Sequence, residues 1–283
     1  MKTILNTLGL LFFAALLFIS CGQKEAAITK KPINYTVVLD LSDRILHPNQ
    51  LDNDFELVTT YFKDFEQKAR RNLVLTSKDC FTVKIIPQKN SPLPLNQYED
   101  VLQIHLNEID CKDKNKSLAN FSKSLAGRLH SLKKDALYST NSNDYFGVDI
   151  WSYLHDYGKT ISKVGYENKI LMLTDGYFDF ENQAHVLQKE NRYTSTQFLD
   201  TLNSTEWKTK AISDNYGLLP ITLDKNSKWI VAGISSKKSN DILQMDKLIF
   251  FWGKWLKESG SLSAHLILNS SKSNMESSLR ELL

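Results

Sequence analysis

Two apolar patterns alternate along the chain. Residues 35–39, 81–86, 169–174, 228–234 and 264–268 form short runs dominated by apolar and β-branched side chains. Such runs suit strands covered on both faces. Between them, apolar residues recur every three or four positions, the period of an amphipathic helix. Residues 52–69 place Leu57, Val58, Tyr61, Phe62 and Phe65 on one face, with Asp52 or Asp54 as the candidate N-cap. Residues 117–137 do the same with Phe121, Leu125, Leu129 and Leu132, and residues 147–161 predict a shorter helix. Residues 245–259 turn Leu248, Trp252, Trp255 and Leu256 inward, with Gly260 as the stop. Residues 101–106 alternate and predict an edge strand beside 81–86, across a loop at 87–96 that holds Pro87, Pro92 and Pro94. Residues 182–206 read as weak helix with loops.

Strands separated by helices imply right-handed crossovers. The predicted fold class is therefore α/β: a doubly wound, mainly parallel sheet of Rossmann type, with helices on both faces and one antiparallel edge strand. The domain is expected over residues 34–269, followed by a C-terminal tail at 270–283. In such sheets ligands sit at the carboxyl ends of the strands, where the strand order reverses.

The N-terminus carries a different pattern. Lys2 precedes an uncharged run from Leu8 to Ile19, which ends in Phe18-Ile19-Ser20-Cys21-Gly22. The run is about twelve residues, the length of a signal-peptide core and short of the roughly 20 that span a bilayer. This end resembles the bacterial lipobox, in which a cysteine is lipidated before cleavage. The resemblance implies a signal peptide at 1–20 and a covalent, palmitate-type lipid on Cys21. Residues 21–33 would then be a polar tether, anchoring the chain to a membrane in the bacterial cell envelope, facing the periplasm or the surface.

The charge balance, 35 basic against 32 acidic residues, lacks the excess that a nucleic-acid surface needs. Export makes a disulfide between Cys80 and Cys111 chemically possible, against the bland reading of two separate thiols. His105, His130 and His155 are not at metal-ligand spacing, and no Gly-x-Ser-x-Gly, His-Glu-x-x-His or Gly-rich phosphate motif occurs. Trp252 and Trp255 stand at helical spacing, which favours packing over a sugar platform.

Two aspartates end two of the apolar runs. Asp40 opens Asp40-Leu41-Ser42-Asp43-Arg44, and Asp175 lies in Thr174-Asp175-Gly176. This pair resembles the von Willebrand factor A-type domain over residues 34–269. That family places Asp-x-Ser-x-Ser after its first strand, a threonine in a middle loop, and an aspartate after its fourth strand. The resemblance implies a metal-ion-dependent adhesion site, with Asp40, Ser42 and Asp175 as ligands of Mg2+ or Mn2+. Magnesium prefers oxygen donors and keeps open positions for water or a partner's carboxylate. Arg44 departs from the pattern, because it stands at the second serine and a guanidinium cannot ligate a cation. Val148 stands where the threonine aligns. Asp43, Asp144 and Asp149 are the residues available to compensate, and Arg44 pairing with Asp175 is the metal-free alternative.

The loop Tyr177-Phe178-Asp179 follows Asp175 and is the expected partner surface, since aromatics are enriched at recognition sites. The expected function is a lipid-anchored, non-enzymatic module that binds an unidentified protein partner. A structural envelope lipoprotein without metal is the alternative, and a metal-dependent hydrolase a distant third. A haloacid-dehalogenase phosphatase would need a second aspartate where Ser42 stands.

Overall fold

The computed structural model describes residues 31–179, 186–237 and 242–283. Cys21, with the signal and tether residues before Lys31, lies outside these. Pro32–Leu283 is one compact unit.

The central sheet has six strands: β1 (Ile33–Asp40), β2 (Cys80–Ile86), β3 (Gln103–His105), β4 (Glu167–Leu173), β8 (Ser227–Ile234) and β9 (Ser263–Leu268). Their order is β3-β2-β1-β4-β8-β9, with all pairs parallel except β2 with β3. Every residue of β1 is buried. That is why its sequence lacks polar alternation. The helices are α1 (Gln50–Arg71), α2 (Leu95–Val101), α3 (Lys114–Ala136), α4 (Ile150–Ile161), α5 (Trp207–Ser213), α6 (Ile242–Glu258) and α7 (Lys272–Leu282).

The strand period of two divides the core between the faces. Tyr35, Val37 and Leu39 pack with α1, α3 and α7 on one face. Val38, Ile170 and Met172 pack with α4, α5 and α6 on the other. Both faces are therefore covered, and the doubly wound architecture expected from the sequence is the one observed. The order reverses between β1 and β4, so their carboxyl ends adjoin at the switch point.

Four local expectations need correction. The C-terminal residues 270–283 hold a packed helix, Lys272–Leu282: Met275 and Leu279 are buried, and Glu276 bonds to Thr60 of α1 at 3.2 Å. Neither Asp52 nor Asp54 caps α1, because the helix begins at Gln50 behind Asn49 and both lie within it, Asp52 paired with Lys133 and Asp54 with Arg44. Only residues 103–105 of the predicted 101–106 strand are extended, since α2 runs through Val101. Within 182–206, the described part holds two short strands, β5 (Gln188–Lys189) and β6 (Arg192–Tyr193), and a 3-10 helix at Thr196–Thr201. Those strands join β7 (Gly217–Leu218) in a second, small sheet. Cys80 is buried and Cys111 exposed, and both thiols are free.

Candidate functional site

The register of β1 on β4 pairs Leu39 with Leu173, so Asp40 and Thr174 follow side by side. Thr174 Oγ1 donates to Asp40 Oδ2 at 2.7 Å, and the backbone N–H of Ser42 donates to Asp40 Oδ1 at 2.8 Å. Thr174 Oγ1 also accepts the N–H of Gly176 at 3.1 Å. Asp175 Oδ1 accepts the N–H of Tyr177 at 3.1 Å. Asp40 and Thr174 are buried, and Asp175 is partly so.

Arg44 is buried below this pair. Its Nη1 donates to Asp54 Oδ2 at 2.6 Å and to the Asp40 carbonyl at 3.2 Å, and its Nη2 donates to Asp54 Oδ1 at 3.1 Å. Gln50 Nε2 adds a donor to Asp54 Oδ1 at 3.0 Å. Burial works against the guanidinium's charge, but Asp54, Asp40 and Asp175 together hold its pKa above the ordinary value. Asp54 is thus its ion-pair partner, and the Asp40 and Asp175 carboxylates act on it electrostatically without pairing. At Asp175, burial and then the Asp40 carboxylate raise the pKa to about 7. The sequence-based alternative of an Arg44–Asp175 pair is not what forms, because the bidentate partner is Asp54 on α1.

Gly233 lets β8 pass this close. Its φ is +98°, and a Cβ there would meet the Thr174 carbonyl at 3.0 Å and Arg44 Nη2 at 3.4 Å. Any side chain would press on the site and strain the backbone.

Of the expected ligands, Asp40, Ser42 and Asp175 come together, and Thr174 joins them although it was not singled out from the sequence. The signal was present, as Thr174 sits directly before Asp175 at the end of an apolar run. Asp43 is exposed, and its N–H bonds to the Phe146 carbonyl at 2.9 Å. Asp144 Oδ2 accepts from Ser139 Oγ at 2.5 Å. Asp149 caps α4 through the Ser152 N–H at 2.8 Å and hydroxyl at 2.7 Å. Among the described residues no three His, Cys, Asp or Glu side chains converge. The Asp144 and Asp149 carboxylates therefore serve local structure, while that of Asp43 is exposed to solvent.

The loop expected to face a partner divides. Phe178 is 1% exposed, with its ring 4.6 Å from that of Trp252 and 5.1 Å from that of Trp255. It is a core residue, because burying a phenyl ring outweighs offering it to a partner. Tyr177 and Asp179 line a cavity of about 460 Å³ with Lys237, Asp200 and Gln244. Lys237 lies 4.4 Å from the Tyr177 ring centroid and bonds to Asp179 Oδ2 at 2.7 Å.

The donors at this edge are carboxylate and hydroxyl oxygens, the chemistry a hard divalent cation takes. Asp40, Ser42 and Asp175 carry donors of this type, and both Asp40 oxygens already accept hydrogen bonds from the protein.

The sequence matches no protein-family model and no curated protein. Among solved structures, the chain is similar to the pilus adhesin SpaC from Lactobacillus rhamnosus GG. The identity is 10% and the TM-score 0.43, over 90% of this chain and 30% of that one. BatB from Bacteroides thetaiotaomicron matches at 12% identity and TM-score 0.34, over 88% of this chain and 97% of that one. The minor pilin PilB from Streptococcus sanguinis, as its D319A mutant, matches at 10% identity and TM-score 0.41, over 91% and 62%. The chain spans under a third of SpaC and under two thirds of PilB. The doubly wound description rests on the strand order itself, not on these likenesses.

Proposed function

We propose that this chain is a lipid-anchored binding module of the von Willebrand factor A type. It would bind a protein partner at the carboxyl edge of its sheet, in the bacterial cell envelope. The observation that supports this reading is the junction of Asp40, Thr174 and Asp175 at the switch point between β1 and β4. Asp40, Ser42 and Asp175 would hold Mg2+ or Mn2+. When bound, the ion would supply an open position for a carboxylate of the partner. The chain's own residues do the rest. Thr174 and the Ser42 N–H orient Asp40, Arg44 fixes Asp54 and the β1 carbonyl end, and Tyr177 and Asp179 form an adjoining rim. The reading is non-enzymatic, and it assigns the membrane contact to lipid on Cys21.

Calorimetric titration with MgCl2 or MnCl2 tests the site. Saturable heat in the wild type and none in folded Asp175→Asn supports it. A flat wild-type titration favours a second reading, a structural envelope protein without metal. One observation favours that reading: both Asp40 oxygens already accept protein donors. The anchor is tested by labelling cells with a palmitate analogue, where Cys21→Ser should abolish incorporation and release the protein from the membrane fraction.

A further inference from the structure

The opposite margin of the sheet offers a surface that the Asp40 edge does not use. β3 is the terminal strand, paired only with β2. Phe81 faces Ile104 in the register, and the flanking bonds run from Val83 N–H to the Leu102 carbonyl and from Leu106 N–H to the Asp79 carbonyl. In an antiparallel ladder bonded and non-bonded pairs alternate. Ile104, the Leu102 carbonyl and the Leu106 N–H therefore face β2, while the Leu102 N–H bonds to the Tyr98 carbonyl at the end of α2. Gln103 and His105 turn their N–H and C=O groups outward, away from the sheet.

Those outward groups border a groove of about 510 Å³ between β3 and α3. One stripe of α3, including Asn120, Phe121 and Arg128, forms the far wall, with Ile104 and Ile109 contributing apolar surface. An exposed strand edge beside a helix-walled groove is the geometry in which an extended peptide adds as a further strand.

The charges select the peptide. Asp100 and Glu108 stand at the two ends of β3, both exposed, and neither has a Lys or Arg within ion-pair distance among the described residues. Among the described residues Glu108 pairs with His105 alone, and burial and Lys163 lower the pKa of that imidazole. The one guanidinium in the groove, Arg128, keeps its charge but pairs with neither carboxylate. It donates to the Val101 carbonyl and lies 5.0 Å from the Phe121 ring centroid. We infer that the β3 edge and its groove bind an extended, basic-ended segment of a partner protein by strand addition. Its main chain would bond to Gln103 and His105, and its lysines or arginines would meet Asp100 and Glu108.

Three synthetic heptapeptides serve as probes: Lys-Thr-Val-Thr-Val-Thr-Lys, the same peptide with Glu at both ends, and the Lys-ended peptide N-methylated at alternate amides. Binding is read by fluorescence polarisation, and amide exchange is followed at Gln103 and His105. The Lys-ended peptide should bind about tenfold or more tightly than the other two and should slow exchange at both amides. Asp100→Lys with Glu108→Lys touches no ladder bond and should reverse the charge preference. Equal binding of all three peptides, binding without protection of Gln103 and His105, or no binding up to about 1 mM overturns the inference.

Discussion

Thr174 Oγ1 donates a 2.7 Å hydrogen bond to Asp40 Oδ2 across 134 residues of sequence. This bond ties the carboxyl ends of β1 and β4 at the point where the strand order reverses. The same hydroxyl accepts the Gly176 N–H. Replacing it with a methyl of the same shape strands one buried acceptor and one buried donor. Thr174→Val should therefore cost about 1–3 kcal/mol, measured as a lowered urea midpoint at constant m value. Thr174→Ser keeps the hydroxyl and should recover most of that loss. Equal losses in the two variants would show that the methyl packing matters and the bond does not.

The pH dependence follows from Asp175. Its folded-state pKa, about 7, lies above the ordinary 3.8 because of burial and the Asp40 carboxylate. The folded protein thus binds this proton more tightly than the unfolded chain. The resulting stability is fully present below about pH 4 and is lost as pH rises through 7, with a slope of at most about 1.4 kcal/mol per unit. In Asp175→Asn, urea titrations across this window should lose that slope. Variant and wild-type slopes that coincide would place the titration elsewhere.

The buried Arg44–Asp54 pair behaves as a unit, with side chains 2% and 1% exposed. Arg44→Met leaves the Asp54 carboxylate buried with only Gln50 as a side-chain donor, and should cost about 3–5 kcal/mol. Arg44→Met with Asp54→Leu removes both charges and should be closer to wild type than the single variant. Arg44→Lys should also be destabilising, because an ammonium cannot reproduce the two parallel bonds. A double-mutant cycle by chemical denaturation checks all three, and strict additivity would mean that the pair is not coupled.

Much of this architecture was legible because the strands announce themselves. β1 and β4 are buried on both faces, so their sequences are nearly continuous apolar runs that end in the residues of the site. The helices α1, α3 and α6 were equally plain from their apolar period. What escaped depends on partners distant in sequence. Asp54 reads locally as a helix-cap candidate, and only the fold brings Arg44 onto it. The chain from Lys272 to Leu282 reads as a tail because its apolar residues are few, yet Met275 and Leu279 suffice once α1 lies beneath them. Asp144 and Asp149 resemble compensating ligands by composition alone. Their oxygens are claimed by Ser139 and Ser152, hydroxyls close by in the chain whose roles sequence does not rank.

Phe178 is a packed core residue in the loop that follows β4. It sits between Tyr177 and Asp179, which line a cavity. Its ring nonetheless lies against Trp252 and Trp255 of α6. Trp252 Nε1 donates to the Gly176 carbonyl at 2.8 Å, so the same helix holds the backbone just after Asp175. Phe178→Ala should leave a cavity between α6 and the sheet and cost about 3–5 kcal/mol. Because the Gly176 carbonyl is tied to the same helix, the substitution should also loosen the Asp175 turn, seen as faster amide exchange at Gly176 and Tyr177. Asp179→Asn should do neither, since Asp179 is bonded to Lys237, Ser195 and Thr196 at the rim and has no part in that packing. If Phe178→Ala proved neutral in stability while Asp179→Asn accelerated exchange at Tyr177, the support for this turn would come from the rim and not from the α6 core.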